Sequence, residues 1–361
     1  MPFATHYQEI LDQIESVNPI AYGKTRNFID GAVTKLSPYI SRGVISLSMI
    51  KETVLKKYNR HQSEKLLQEL AWREYWLRVW ETKGALIFSD LKQIQLDVDT
   101  HEISTALMNA STGIRAIDDS VNSLYETGYM HNHCRMYVAS VACNIAKAHW
   151  LQPSKWMYYH LLDGDLASNS LSWQWVAGSF SSKKYFCNQE NINRYCYTQQ
   201  TGTFLDRSYD ELSAMDKPAA LEKTVSFNLS TTLPATAAPI IDEAYPTLIY
   251  NAYNLDPLWH QHIKANRILL LEPSHYRQYP VSEKVIEFIL ALSENIPGIQ
   301  VYAGTFDELK KYAGTSKIIF KKHPAFMHYK GEAESNNYLF PQVSGYFNSF
   351  FSYWKKCEKF I

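Results

Sequence analysis

Two short runs hold the residues whose types and spacing suit chemistry: Met-His-Asn-His-Cys-Arg-Met at 130 to 136 and Asp-Gly-Asp-Leu-Ala-Ser-Asn at 163 to 169. On a helix beginning near Met130, Asn132 and Met136 lie one turn apart with Arg135 beside them, so an amide, a thioether and a guanidinium can face one cavity. The second run puts Asp163 and Asp165 just ahead of a predicted helix on which Asn169 and Trp173 are spaced i, i+4. Carboxylates and amides there have an ordinary use as helix caps, because their oxygens satisfy free backbone N–H groups. The sharper alternative is a buried ion pair between Asp163 and Arg135 beside a polar heterocycle, since a buried charge needs a partner. No metal site is expected. The five cysteines (Cys134, Cys143, Cys187, Cys196 and Cys357) are scattered, contain no C-x-x-C pair, and read as reduced thiols.

The elements that must position these residues are mostly helices. Apolar residues recur with helical period through the first 200 residues, as in Ile45 to Tyr58 and Ser63 to Thr82, while strand-like alternation is almost absent there. From 206 to 239 the composition turns to Ser, Thr, Ala and Pro (SFNLSTTLPATAAP), which suits a linker. Beyond it, strand-like runs at Thr247 to Ala252, Arg267 to Leu271, Ile299 to Tyr302 and Lys317 to Phe320 alternate with predicted helices at Ser282 to Asn295 and Thr305 to Tyr312. That alternation predicts β-α-β units on a parallel sheet. The expected fold class is therefore α plus α/β: a helical domain over 1–205, a linker over 206–239, and a small Rossmann-like α/β domain over 240–361.

A chain of 361 residues that is 46% hydrophobic can bury two cores. No run of about 18 apolar residues offers a membrane span, and the first residues lack a secretory pattern, so no membrane partner and a cytoplasmic location are expected. Thirty-six basic residues balance 36 acidic ones, so a nucleic-acid partner would need a local basic patch. Nine Trp and 25 Tyr are compatible with large aromatic cores as well as with stacking sites.

Four segments, in one order, resemble the FAD-binding helical domain of class I cyclobutane-dimer photolyases and cryptochromes over about residues 20 to 200. They are Thr-Lys-Leu-Ser-Pro-Tyr-Ile-Ser-Arg-Gly (34 to 43), Glu-Leu-Ala-Trp-Arg-Glu-Tyr (69 to 75), Tyr-Met-His-Asn-His-Cys-Arg-Met (129 to 136), and Asp-Gly-Asp-Leu-Ala-Ser-Asn (163 to 169) continued by Trp-Gln-Trp (173 to 175). The resemblance implies a folded-back FAD. By it, Tyr22, Thr34, Lys35, Leu36 and Ser37 become cofactor contacts, with the hydroxyls and the ammonium near the diphosphate, where a helix N-terminus favours anions. Asn169 falls near the flavin N5, Asp165 near the pyrimidine edge of the ring, and Arg135 pairs with Asp163. Glu69, Trp72, Asn132, Met136 and Trp175 take the positions that contact the lesion, the indoles stacking on a flipped-out dimer and the polar groups bonding its base edges. Asn132, where photolyases for the six-four lesion carry His, points to the cyclobutane dimer. His133 next to it would turn about 100° away on a helix. Arg42, Lys183 and Lys184 are candidate cations for a DNA-facing surface.

The resemblance implies light-driven repair of pyrimidine dimers in DNA by a protein expected to be a monomer. A cryptochrome-type blue-light receptor is the alternative. Trp173 and Trp150 match the first two members of the family's electron relay, but the segment that supplies the third, Asp90 to Thr112, has no tryptophan, which leaves Trp156, Tyr158 or Tyr159 as substitutes. The stretch SSKKYFCNQENINRYCY is somewhat similar to iron–sulfur photolyases, yet Cys196 lacks the partner expected about three residues later, so no cluster is expected. The family's antenna domain ordinarily precedes the FAD domain. Here the α/β segment that follows resembles it in strand and helix order, as a permuted, antenna-like domain, and the sequence names no second chromophore.

Overall fold

The computed structural model describes residues 3–361. The chain forms two compact units, one from Met1–Pro19, Thr34–Glu81 and Leu229–Ile361, the other from Ile20–Val33 and Thr82–Asn228. The helices that carry the candidate residues, or pack beside them, are α1 (Ser37–Ser41), α2 (Arg60–Lys83), α3 (Arg115–Thr127), α4 (Asn132–Ser140), α5 (Leu166–Ala177), α6 (Gln189–Cys196) and α7 (Phe350–Cys357). Among the described residues no helix is long and apolar enough to cross a membrane.

The first unit contains a sheet of five strands, β1 (Thr247–Tyr250), β2 (Asn266–Leu271), β3 (Ile299–Ala303), β4 (Ile318–Lys321) and β5 (Glu332–Glu334), in the order β3-β2-β1-β4-β5. Every neighbouring pair is parallel. The chain therefore starts at the centre and winds outward in both directions, the doubly wound order of a dinucleotide-type half-sheet. All four residues of β1 are buried, as a strand flanked on both sides and covered on both faces requires. The helix Glu283–Ser293 buries Val285, Phe288, Ile289 and Leu292, and the helix Phe306–Ala313 packs Phe306 and Leu309 with Ile249, Ile268, Leu270 and Phe320. The expected alternation of strand and helix is thus present. β5 lies outside it, because its three residues, Glu-Ala-Glu, have no apolar run to read.

In the same unit α2 runs for 24 residues and buries Leu66, Leu67, Leu70, Tyr75, Trp76, Val79 and Trp80. Its Glu74, 1% exposed, pairs with Arg78 at 3.1 Å and accepts hydrogen bonds from the backbone N–H groups of Leu339 and Phe340 and from the Tyr353 hydroxyl. One carboxylate thus anchors the stretch that leads into α7. Arg42, expected at a DNA-facing surface, is instead 1% exposed. Its carbonyl accepts the Leu255 N–H at 2.9 Å and a guanidinium nitrogen donates to the Ala252 carbonyl, so this cation pins the segment after α1 to the loop after β1. Gly43 beside it has φ +64° and meets the Tyr253 carbonyl so closely that a Cβ would clash.

The second unit is helical. α3 ends at Gly128, whose φ of +71° gives the left-handed cap. α4 begins after His131, whose ring Nδ1 accepts the His133 N–H at 3.2 Å, and continues into one π-helical turn, Val141–Ile145, that is wholly buried. α5 begins after Asp165 and ends at Gly178 with φ +84°. The stretch of linker composition carries a short helix, Tyr209–Ala214, with a complete Ser208–Glu211 capping box. Leu212 and Leu221 are buried in this unit's core, and Thr224–Val225 pairs antiparallel with Ile103–Ser104.

Candidate functional site

The candidate residues fall into two sets, one in each unit. In the second unit, one guanidinium nitrogen of Arg135 on α4 donates to both carboxylate oxygens of Asp163, at 3.0 and 2.9 Å, while its Nε donates to the Met130 carbonyl at 2.8 Å. The Asp163 side chain is 4% exposed and that of Arg135 20% exposed, so this is an ion pair largely withdrawn from water. The neighbouring Asp165 caps α5, its Oδ1 accepting the Ser168 N–H at 2.7 Å. One turn along α5, Asn169 donates through Nδ2 to the Ser154 carbonyl at 2.9 Å. That bond fixes the amide's orientation, and a partner supplied by a backbone carbonyl leaves no mark in side-chain motifs. Asn132 is exposed at the start of α4, and Met136, one turn on, is half-buried. Trp175 is 36% exposed near Tyr185, and Tyr22 is half-buried in the helix Pro19–Thr25.

The first unit holds Thr34, Lys35, Leu36, Ser37, Glu69 and Trp72. Lys35 is exposed and has φ +52°, a left-handed turn placed between two hydroxyl-bearing residues. The Thr34 carbonyl accepts from the Gln13 amide at 2.8 Å, Leu36 is 1% exposed, and Ser37 opens α1. With only five residues, α1 has a small dipole, so the hydroxyls and the ammonium carry most of what this turn offers an anion. On α2, Glu69 pairs with Lys65 at 3.0 Å. One face of the Trp72 indole is covered by Phe350 of α7, with ring centroids 3.7 Å apart and planes 11° from parallel. Phe350 is absent from the sequence-derived set, although Phe350, Tyr353, Trp354 and Cys357 show the spacing of a buried helical face.

The tryptophans expected in an electron relay belong to the second unit's core. Trp173, Trp150 and Trp156 are all buried in one cluster. The Trp150 indole donates to Asp90 at 2.7 Å, so the segment without a third tryptophan contributes a carboxylate at that point. Trp156 donates to the Tyr125 hydroxyl at 2.9 Å, and Tyr125, His160 and Tyr159 follow with ring centroids 4.8 and 4.9 Å apart.

Residues 66–261, more than half of the chain, match the family described as the FAD binding domain of DNA photolyase. A deoxyribodipyrimidine photo-lyase of Synechococcus is 31% identical over 202 residues, covering 53% of this chain and 42% of that protein. A cryptochrome DASH of Natronomonas pharaonis is 29% identical over 189 residues, covering 48% and 39%. The matched region thus spans about two fifths of the length of these curated relatives. Among solved structures, a cryptochrome of Synechocystis aligns at a TM-score of 0.49 and 23% identity, over 54% of this chain and 44% of that one.

Proposed function

We infer the activity from one premise: this chain belongs to the family of DNA photolyase FAD-binding domains, so FAD is its cofactor. The residues suit that group. Asp163 and Arg135 form a fixed pair largely withdrawn from water, and such a pair sets the potential around a ring system far more strongly than a solvated one. Asn169, Asp165, Arg135 and Asp163 would hold the polar parts of the flavin, and Thr34, Lys35, Leu36, Ser37 and Tyr22 the diphosphate side.

The reading we favour is light-driven repair of cyclobutane pyrimidine dimers in DNA. Reduced FAD, when bound and excited, supplies the electron that opens the cyclobutane ring. The protein's part is to bind the extruded dimer and keep water from it. The observation that carries the reading is that α4 presents an exposed amide, Asn132, and half-buried Met136 on the same short helix as the cofactor-type cation Arg135. An amide can bond the edges of a thymine pair without titrating, whereas a histidine there would suit proton transfer. Glu69, Trp72 and Trp175 complete the set by hydrogen bonding and stacking.

The Phe350–Trp72 stack favours a second reading, a blue-light receptor without repair, because a base can reach that face of the indole only if α7 gives way. The two readings separate in one experiment. Reduced, FAD-loaded protein is illuminated with dimer-containing oligothymidine while base absorbance is followed. Recovery that is lost on Asn132→Ala establishes repair. Photoreducible FAD without recovery, in both the native protein and Phe350→Ala, establishes the receptor reading.

A further inference from the structure

α7 buries one face, Phe350, Tyr353, Trp354 and Cys357, and leaves the other in water. On that other face Phe351, Ser352, Lys355 and Lys356 are exposed, and Lys359 and Phe360 continue it through the short 3-10 turn that follows, Glu358–Phe360. Two of these residues are large rings standing in solvent, Phe351 at 67% and Phe360 at 44% exposure. Residues four apart share a side of a helix, so Phe351, Lys355 and Lys359 form one row and Ser352, Lys356 and Phe360 the next. Rings and ammonium groups are thereby interleaved on one exposed surface.

Lysines in the last turn of a helix have an ordinary use, which is to oppose the negative end of its dipole, and Lys355 and Lys356 stand there. That use gives no reason for a phenyl ring in water beside them. Carboxylates do not account for the charges either. Lys65 is paired with Glu69, Lys184 with Asp97, Lys317 with Glu332 and Lys321 with Asp256. Among the described residues Lys355, Lys356 and Lys359 form no such pair, and Glu358, the one acidic side chain between 349 and 361, is half-buried.

This surface adjoins α2 of the same unit. The Phe351 ring stands edge-on to the Trp72 indole, with centroids 6.4 Å apart and planes at 80°, while the preceding Phe350 covers the flat face of that indole. An aromatic surface therefore runs from Trp72, one of the lesion-contact residues, outward to Phe351, with the three cations behind it.

We propose that the exposed face of α7 binds single-stranded DNA, with Lys355, Lys356 and Lys359 on its phosphates and Phe351 stacked against a base. The inference takes its partner from the repair reading and adds to it an element that holds the strand flanking the lesion. The chain has no net charge, so attraction for a polyanion has to come from a local cluster such as this one. Exposed rings select the form of the polyanion, because a base must offer an open face to stack on a side chain and an unpaired strand does so. A bilayer fits less well. A helix lying on a membrane inserts its continuous apolar face, and that face of α7 is already buried within the unit.

The test measures binding of an undamaged oligothymidylate to the FAD-loaded full chain by fluorescence anisotropy over a range of salt concentrations. Each phosphate contact on a single strand contributes about 0.7 to the slope of log affinity against log salt, so replacing Lys355, Lys356 and Lys359 together by Gln should reduce that slope by about 2. Phe351→Ala should weaken binding about tenfold with the slope unchanged, because stacking releases no counterions. All four side chains are exposed, so the urea midpoint and flavin absorption of both variants should match those of the native chain. Native binding that keeps its strength and slope in both variants would place the strand elsewhere and overturn the proposal while leaving the repair reading intact. Absence of binding by the native chain, with or without a dimer in the strand, would overturn both. Lysine-dependent binding to phosphatidylserine vesicles with none to the oligonucleotide would mark the face as a membrane surface and overturn the proposal.

Discussion

Asp163 shows how much one side chain can be asked to hold. Both of its oxygens rest on one nitrogen of Arg135, and removing the charge leaves that guanidinium 20% exposed and without its counter-ion. Removing one partner of a fully buried pair costs about 3–5 kcal/mol, and the partial exposure of Arg135 reduces this to about 2 kcal/mol for Asp163→Asn. The variant should therefore unfold at lower urea than the native chain and lose FAD on gel filtration. A variant with native stability that keeps its flavin would show that the pair serves neither purpose. The pairing was legible in the sequence because both members sit in chemistry-bearing runs and a buried charge calls for an opposite one. The partners of Asn169 and Trp150 were not. The first is a backbone carbonyl, and the second is Asp90, far away along the chain in a segment with no periodicity.

At the scale of elements, helices and strands with a strong apolar period were the legible ones. α2 and four of the sheet strands fall close to where the pattern places them, because burial of one face or both is what created the pattern. α7 and β5 escaped. β5 forms by offering backbone groups to the open edge of β4, which asks little of its side chains. α7 has the period but lies in a short aromatic run whose destination, the Trp72 face of α2, is set by tertiary contact alone. Two predictions belong here. Phe350→Ala removes the ring that covers Trp72 and should raise affinity for dimer-containing DNA, measured by fluorescence anisotropy; unchanged affinity would mean that the covered face takes no part in binding. Glu74→Ala deprives Arg78 of its buried partner and the 339–353 stretch of its anchor. It should cost about 3–5 kcal/mol in a urea titration and expose the amides of α7 to hydrogen exchange. Protection of α7 unchanged from the native chain would show that its own apolar face suffices.

At the scale of the molecule, each compact unit carries a histidine that desolvation keeps from taking up a proton, and this gives the chain a pH-dependent stability. In the first unit His275 is held at about 3, chiefly by burial and further by the neighbouring charges of His323, Arg42 and His328. In the second, burial first and then His131 and Arg26 hold His133 at about 4. A histidine depressed in this way stays neutral in the folded chain while the unfolded chain takes up a proton below about 6.5. The unfolded state therefore binds more protons between the two values, and stability is complete at neutral pH and falls as the pH drops through 6.5 towards 3 or 4. For His275 the loss at pH 5 amounts to about 2 kcal/mol, at about 1.4 kcal/mol per unit of pH. The grouping of 34–81 with the C-terminal sheet was invisible to a reading of local period, so the separate pH sensitivity of two interleaved units follows from the fold alone. Hydrogen exchange resolved by segment, at pH 7 and pH 5, measures both units at once. His275→Gln should flatten the acid loss in Thr34–Glu81 and Leu229–Ile361 while leaving Thr82–Asn228 as acid-sensitive as before. An unchanged slope in the first unit would mean that groups other than His275 take up the proton on unfolding.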